Sequence, residues 1–97
     1  MAKQNSQVES LATIFRVLGD QTRLRALLAL QRGELNVTEL CGALRVPQPT
    51  ISRHLGILRM AGLVNNRRSG KEIFYSVGGA QGDLKIVRSV LQAAAKM

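Results

Sequence analysis

A mainly α fold carrying one small β-hairpin is what this sequence predicts. Two observations predict it: apolar residues recur at three- and four-residue spacings over most of the chain, and the period changes once, to two, between Leu63 and Val77. A third supports them, since Gly, Pro and cap residues fall where one periodic stretch gives way to the next. Ninety-seven residues allow one core, so residues 1–97 are read as a single domain, with 1–6 as a disordered N-terminal arm.

From Gln7 to Leu18, the apolar residues Val8, Leu11, Ala12, Phe15 and Leu18 line one side of a first helix that Gly19 ends. Asp20 then offers an N-cap carboxylate to a second helix with Leu24, Leu27 and Leu28 inward, stopping before Gly33. Asn36 with Glu39 three positions later forms a capping box for a short third helix, whose inner side carries Val37, Leu40, Cys41 and Leu44. Arg45-Val46-Pro47 breaks the pattern, and Pro49 suits the first turn of a fourth helix because its missing N–H has no intrahelical partner there. Ile51, Leu55 and Leu58 form that helix's inner line, which leaves Pro49, Ser52, Arg53 and Gly56 facing outward until Ala61-Gly62 closes it.

The stretches Leu63 to Arg68 and Lys71 to Val77 alternate around Ser69-Gly70, which predicts a β-hairpin with Arg67, Arg68 and Lys71 about its tip. Gly78 to Gly82 is read as a loop. Asp83 is read as the cap of a last helix with Leu84, Val87, Val90, Leu91 and Ala94 on its apolar side. Two helices joined by a short turn and followed by a hairpin describe a winged helix-turn-helix, whose second helix presents a narrow, basic face.

The formal charge is +8, and Arg45, Arg53, Arg59, Arg67, Arg68 and Lys71 fall in a 27-residue stretch with no acidic residue. Such a run favours a polyanion, because Lys and Arg release condensed counterions from phosphates. Its coincidence with the second helix of the helix-turn-helix and the hairpin tip favours double-stranded DNA. With one cysteine, an intramolecular disulfide framework and a multi-thiolate zinc site within one chain are excluded. No apolar run is long enough to span a membrane and the start lacks a secretory apolar stretch, so a cytoplasmic protein is expected. One His, one Cys and six scattered carboxylates supply no grouped nucleophile, acid–base pair or metal cluster, so no enzyme, catalytic residue or cofactor is predicted.

Leu18-Gly-Asp-Gln-Thr-Arg-Leu-Arg25, Gln48-Pro-Thr-Ile-Ser-Arg-His-Leu-Gly-Ile-Leu-Arg59, Ala61-Gly-Leu-Val64 and Ile73-Phe-Tyr75 together resemble the ArsR/SmtB family over residues 8 to 78. The resemblance implies a dimeric winged-helix repressor that binds an imperfect palindrome in its operator and releases it when an inducer binds. Gln21 stands where members often carry Pro, which affects only the helix start. The family's Cys-x-Cys thiolate site matches Asn36 and Thr38, and its other site needs His and Glu on the last helix, which residues 83–97 lack. The resemblance therefore implies an inducer other than a metal at those sites, such as an unknown small molecule or oxidant.

Within that frame Arg53 is the expected base reader, its planar fork matching guanine O6 and N7. Gln48, Thr50, Ser52 and His54 are counted with it on the recognition helix, and Arg45, Arg67, Arg68 and Lys71 are expected to hold DNA backbone. Val8, Leu11 and Phe15 of the first helix, with Leu84, Val87 and Leu91 of the last, are expected to form the homodimer interface. His54 sits at the edge of the inner stripe, open to packing, a backbone hydrogen bond or a phosphate contact. Cys41 reads as a core thiol, with a redox or persulfide sensor as the other possibility. Two further classes compete with a sequence-specific repressor: a winged-helix protein–protein adaptor, and a nonspecific nucleic-acid binder. The second is weakened by having only Phe15, Phe74 and Tyr75 for stacking.

Overall fold

The computed structural model describes residues 2–78 and 84–97, with side chains from residue 6 onward. The elements are α1 (Ala2–Leu18), α2 (Gln21–Gln31), β1 (Leu35–Asn36), α3 (Val37–Leu44), α4 (Gln48–Met60), β2 (Val64–Ser69), β3 (Glu72–Val77) and α5 (Leu84–Ala95). Residues 79–82 of the expected Gly78–Gly82 loop and the Asp83 cap lie outside the described residues. The three strands form an antiparallel sheet in the order β1-β3-β2, with Leu35 opposite Tyr75 and Val64 opposite Val77. β1 is an addition to the expected hairpin: two residues carry no readable alternation, and only their pairing with β3 reveals them as a strand.

The caps form as the sequence predicts. Asp20 accepts a hydrogen bond from the Arg23 amide at 3.0 Å. At α3, Asn36 accepts from the Glu39 amide at 2.7 Å while Glu39 accepts from the Asn36 amide at 2.9 Å. The hairpin turns over Gly70 and Lys71, with Gly70 at φ 63°, a left-handed value that glycine takes without steric cost.

The core is built from Leu27, Leu40, Ile51, Leu55, Leu58, Leu63, Val87 and Leu91, all fully buried, with Ile14 and Leu18 closing it from α1. The α4 line of Ile51, Leu55 and Leu58 is as expected. In α2 the buried residues are Ala26, Leu27 and Leu30, with Leu24 and Leu28 only partly covered.

α1 starts at Ala2, ahead of the expected Gln7, since no Gly or Pro precedes Leu18 to stop it. One expectation is corrected. Val87 and Leu91 are not free for a partner, because α5 docks against α2 and both side chains are 0% exposed within one protomer. An apolar helical stripe marks burial without saying which body buries it. Leu11 and Leu84 are partly covered, whereas Val8 at 64% and Phe15 at 55% exposure remain open on α1.

Candidate nucleic-acid interface

The turn between α3 and α4 is set by Arg45, which holds a left-handed backbone at φ 58°, ψ 48° and donates its N–H to the Cys41 carbonyl. A non-glycine residue there costs about 1 kcal/mol, which the surrounding bonds must offset. One such bond runs from the Arg25 guanidinium to the Leu44 carbonyl at 2.9 Å, pinning the end of α3 to α2. Pro47 precedes α4 in extended geometry with no side-chain cap, and the first turn of α4 carries no acid. The positive end of the helix dipole is thus left unneutralised at Gln48.

Burial of Ile51, Leu55 and Leu58 turns the opposite side of α4 to solvent. Gln48, Pro49, Ser52, Arg53 and Gly56 are exposed there, with Thr50 partly covered. Arg53 makes no ion pair among the described residues, so its five donors are free for an external acceptor.

His54 is corrected. Counted among the recognition-helix contacts, it is in fact buried, 7% exposed, and turned toward α2. The Arg23 guanidinium lies 3.2 Å from its Nδ1. Arginine has only donors, so Nδ1 is the acceptor of this hydrogen bond. The Asp20 carboxylate is 3.9 Å from the same nitrogen, beyond hydrogen-bond distance. Arg23 also donates through Nε to the Val17 carbonyl at 2.6 Å, so one side chain joins the end of α1 to the middle of α4. The hydrogen bond from the Arg23 amide, opposed by partial burial and assisted by the Arg23 charge and the Thr22 amide, holds the Asp20 carboxyl below its ordinary range. Sequence reading missed this node because Arg23 and His54 lie 31 residues apart.

The hairpin also differs from expectation. Arg67 is not a free phosphate ligand: its guanidinium forks onto Glu34, with contacts of 2.8 and 2.6 Å, and its charged carbon lies 4.9 Å from the ring centre of Phe74, its cross-strand partner. That bond lowers the Glu34 carboxyl and raises the Arg67 guanidinium from their ordinary values. Asn36 Nδ2 donates to Glu72 at 3.1 Å, a second tie between β1 and the base of the hairpin tip. Arg68 and Lys71 stay exposed at the tip, Arg68 donating to the Gly70 carbonyl at 3.4 Å. Arg45 and Arg59 are exposed as well.

Asn36, Thr38, Gln48, Lys71 and Glu72 line a cleft of about 200 Å³ between α3, α4 and the hairpin tip. Its donors are oxygen and nitrogen only, and Asn36 is already engaged through both ends of its amide. Among the described residues no three His, Cys, Asp or Glu side chains gather to hold a metal, and no helix is long and apolar enough to cross a membrane. Cys41 is partly buried against the core.

A three-helix unit whose second and third helices make a helix-turn-helix, flanked by a hairpin with cations at its tip, defines a winged helix-turn-helix protein. The sequence profile of the bacterial regulatory proteins of the arsR family matches residues 20–66. The chain belongs to that family. It is 44% identical over 70 residues to an HTH-type transcriptional regulator of Methanocaldococcus jannaschii, which spans 71% of this chain and 79% of that one. It is 49% identical over 63 residues to the arsenical resistance operon repressor of Escherichia coli, covering 64% of this chain and 54% of the repressor. Among solved structures, the homodimeric winged helix-turn-helix DNA-binding domain Mb0332 of Mycobacterium bovis superposes with a TM-score of 0.81 at 26% identity, over 99% of this chain and 87% of that one. The chain spans about half the length of the first curated relatives it matches.

Proposed function

We propose that residues 1–97 form one DNA-binding unit, a transcriptional repressor that acts as a homodimer on a palindromic operator in the cytoplasm. The observation that carries this reading is the single cationic face made by α4 and the hairpin. Among the described residues Arg53 makes no ion pair on the exposed side of a helix anchored by Ile51, Leu55 and Leu58, and Arg68 and Lys71 make none at the tip, with no acid anywhere from residue 45 to 71. α4 enters the major groove with Arg53 on base edges, while Gln48, Thr50 and Ser52 add contacts near the helix N-terminus and Arg45, Arg68 and Lys71 hold phosphates.

The homodimer is supported by the Mycobacterium neighbour, itself homodimeric, and by Val8 and Phe15, which the described residues leave more than half exposed. Two recognition helices then lie about 34 Å apart, one turn of B-DNA, or a small multiple of that. Asn36 and Thr38 lack thiols and α5 lacks His and Glu, so the inducer is not a soft metal bound at the sites common in the family. Selection of bound sequences from random duplex DNA tests the reading: an enriched palindrome supports it, while capture with no preferred sequence, or no capture, overturns it.

A further inference from the structure

Gly56 sits in the interior of α4, a place where glycine weakens a helix relative to alanine. Three reasons that ordinarily retain a helical glycine are absent. Its φ is not positive, it caps nothing, and a Cβ built on it meets no atom within 4 Å. The space it leaves is outside the protein, on the same face as Ser52 one turn before and between Arg53 and Arg59, each three residues away and exposed. We propose that Gly56 is a close-approach position: the missing side chain lets the backbone of α4 seat against the DNA duplex, so that the two flanking arginines reach base edges and phosphates together. This rests on the DNA-binding reading above and assigns that face a contact distance.

Gly42 provides an internal comparison. It lies in the interior of α3, is exposed, has no positive φ, and a Cβ there also meets nothing. Its helical neighbours one turn before, Thr38 and Glu39, carry an acid and no cation, and the cation three residues after it, Arg45, lies past the end of α3 in a left-handed turn, so Gly42 is not flanked by two arginines of its own helix. The two glycines weaken their helices alike, yet only Gly56 lies on the face that meets DNA.

The test compares Gly56→Ala, Gly56→Leu and Gly42→Ala with the full wild-type chain, at one protein concentration, by thermal unfolding and by titration with the duplex that wild type selects from random DNA. Both alanine variants are expected to unfold roughly 4 °C higher. Gly56→Ala is expected to lose at least about tenfold in affinity and Gly56→Leu more, since added volume at a tight contact is poorly absorbed, while Gly42→Ala binds as wild type does. Wild-type affinity in Gly56→Ala, an equal loss in Gly42→Ala, or a lower unfolding temperature in Gly56→Ala each overturns the proposal while leaving the DNA-binding reading in place. If wild type selects no duplex, both fall.

Discussion

The two cationic parts of the molecule, α4 and the hairpin, are held by different physics. α4 is fixed from beneath by Ile51, Leu55 and Leu58, each at most 1% exposed, and by the Arg23–His54 bond under its middle. The hairpin presents Val64 and Val77 to the core at its base, but toward its tip it is oriented by exposed polar bonds, Arg67 with Glu34 and Asn36 with Glu72. Burial fixes α4 whatever the ionic strength, whereas the tip's ties weaken as salt screens them. A rigid helix and a salt-sensitive hairpin tip therefore adjoin at the cleft that Gln48 and Lys71 line. The largest effect that breaks this difference is Leu55→Ala, expected to cost about 2–5 kcal/mol in denaturant unfolding, because it opens a cavity under α4. A loss below about 1 kcal/mol would show that α4 is not anchored by its apolar line.

Next in size is Arg53→Ala. Losing a base-reading fork should weaken operator binding by about 1–3 kcal/mol and random-duplex binding much less. Arg68→Ala should weaken both alike and reduce the salt slope by about one unit per subunit, as expected of a phosphate contact. Titrations of each variant on both DNAs at several salt concentrations decide between them. The reverse pattern would make the hairpin the reader.

How much of this was legible in the sequence follows the same division. Helix caps, the inner line of α4 and the hairpin are local, set by residues within a few positions of one another, and they were readable. The partners of Arg67 and His54 were not readable because what holds them lies far along the chain. Glu34 is 33 residues from Arg67, and Arg23 is 31 from His54. A lone arginine in a basic run looks free until the strand pairing that brings Glu34 beside it is known. Val87 and Leu91 fail differently: their helical spacing was read correctly, but spacing gives a face and not the body that covers it. α1 shows the point, having two apolar sides, one closing the core through Ile14 and Leu18 and one left open at Val8 and Phe15.

A smaller effect tests the node beneath α4. Asp20 caps α2, so Asp20→Ala should lower stability by about 1 kcal/mol at neutral pH. The folded-state carboxyl is held below its ordinary value, so its contribution is present above the unfolded pKa of about 3.9 and is lost as pH falls through the folded value. Wild type and Asp20→Ala should therefore converge in stability as the solution is acidified below that range. A gap that persists there would mean the carboxylate charge contributes nothing to the cap.

The smallest change in stability is expected at Glu34→Gln, and it bears most directly on what the hairpin does. Glu34 and Arg67 are both surface groups, and an exposed pair contributes little to folding, so the unfolding midpoint should barely move. What changes is the company Arg67 keeps. With glutamate opposite, its fork is matched by a fixed carboxylate, and a DNA phosphate must displace that partner before it can gain the same bond. With glutamine opposite, the competing charge is gone while the Phe74 ring still supports the guanidinium from its other side. Random-duplex binding should then strengthen, and its salt slope should steepen by about one unit per subunit, because one more phosphate is neutralised. On the proposed assignment, in which Arg53 reads bases and Arg67 does not, the operator should gain less than random DNA does and the specificity ratio should fall. An unchanged slope with unchanged stability would show that Arg67 lies out of reach of the DNA backbone, and that Arg68 and Lys71 alone make the grip.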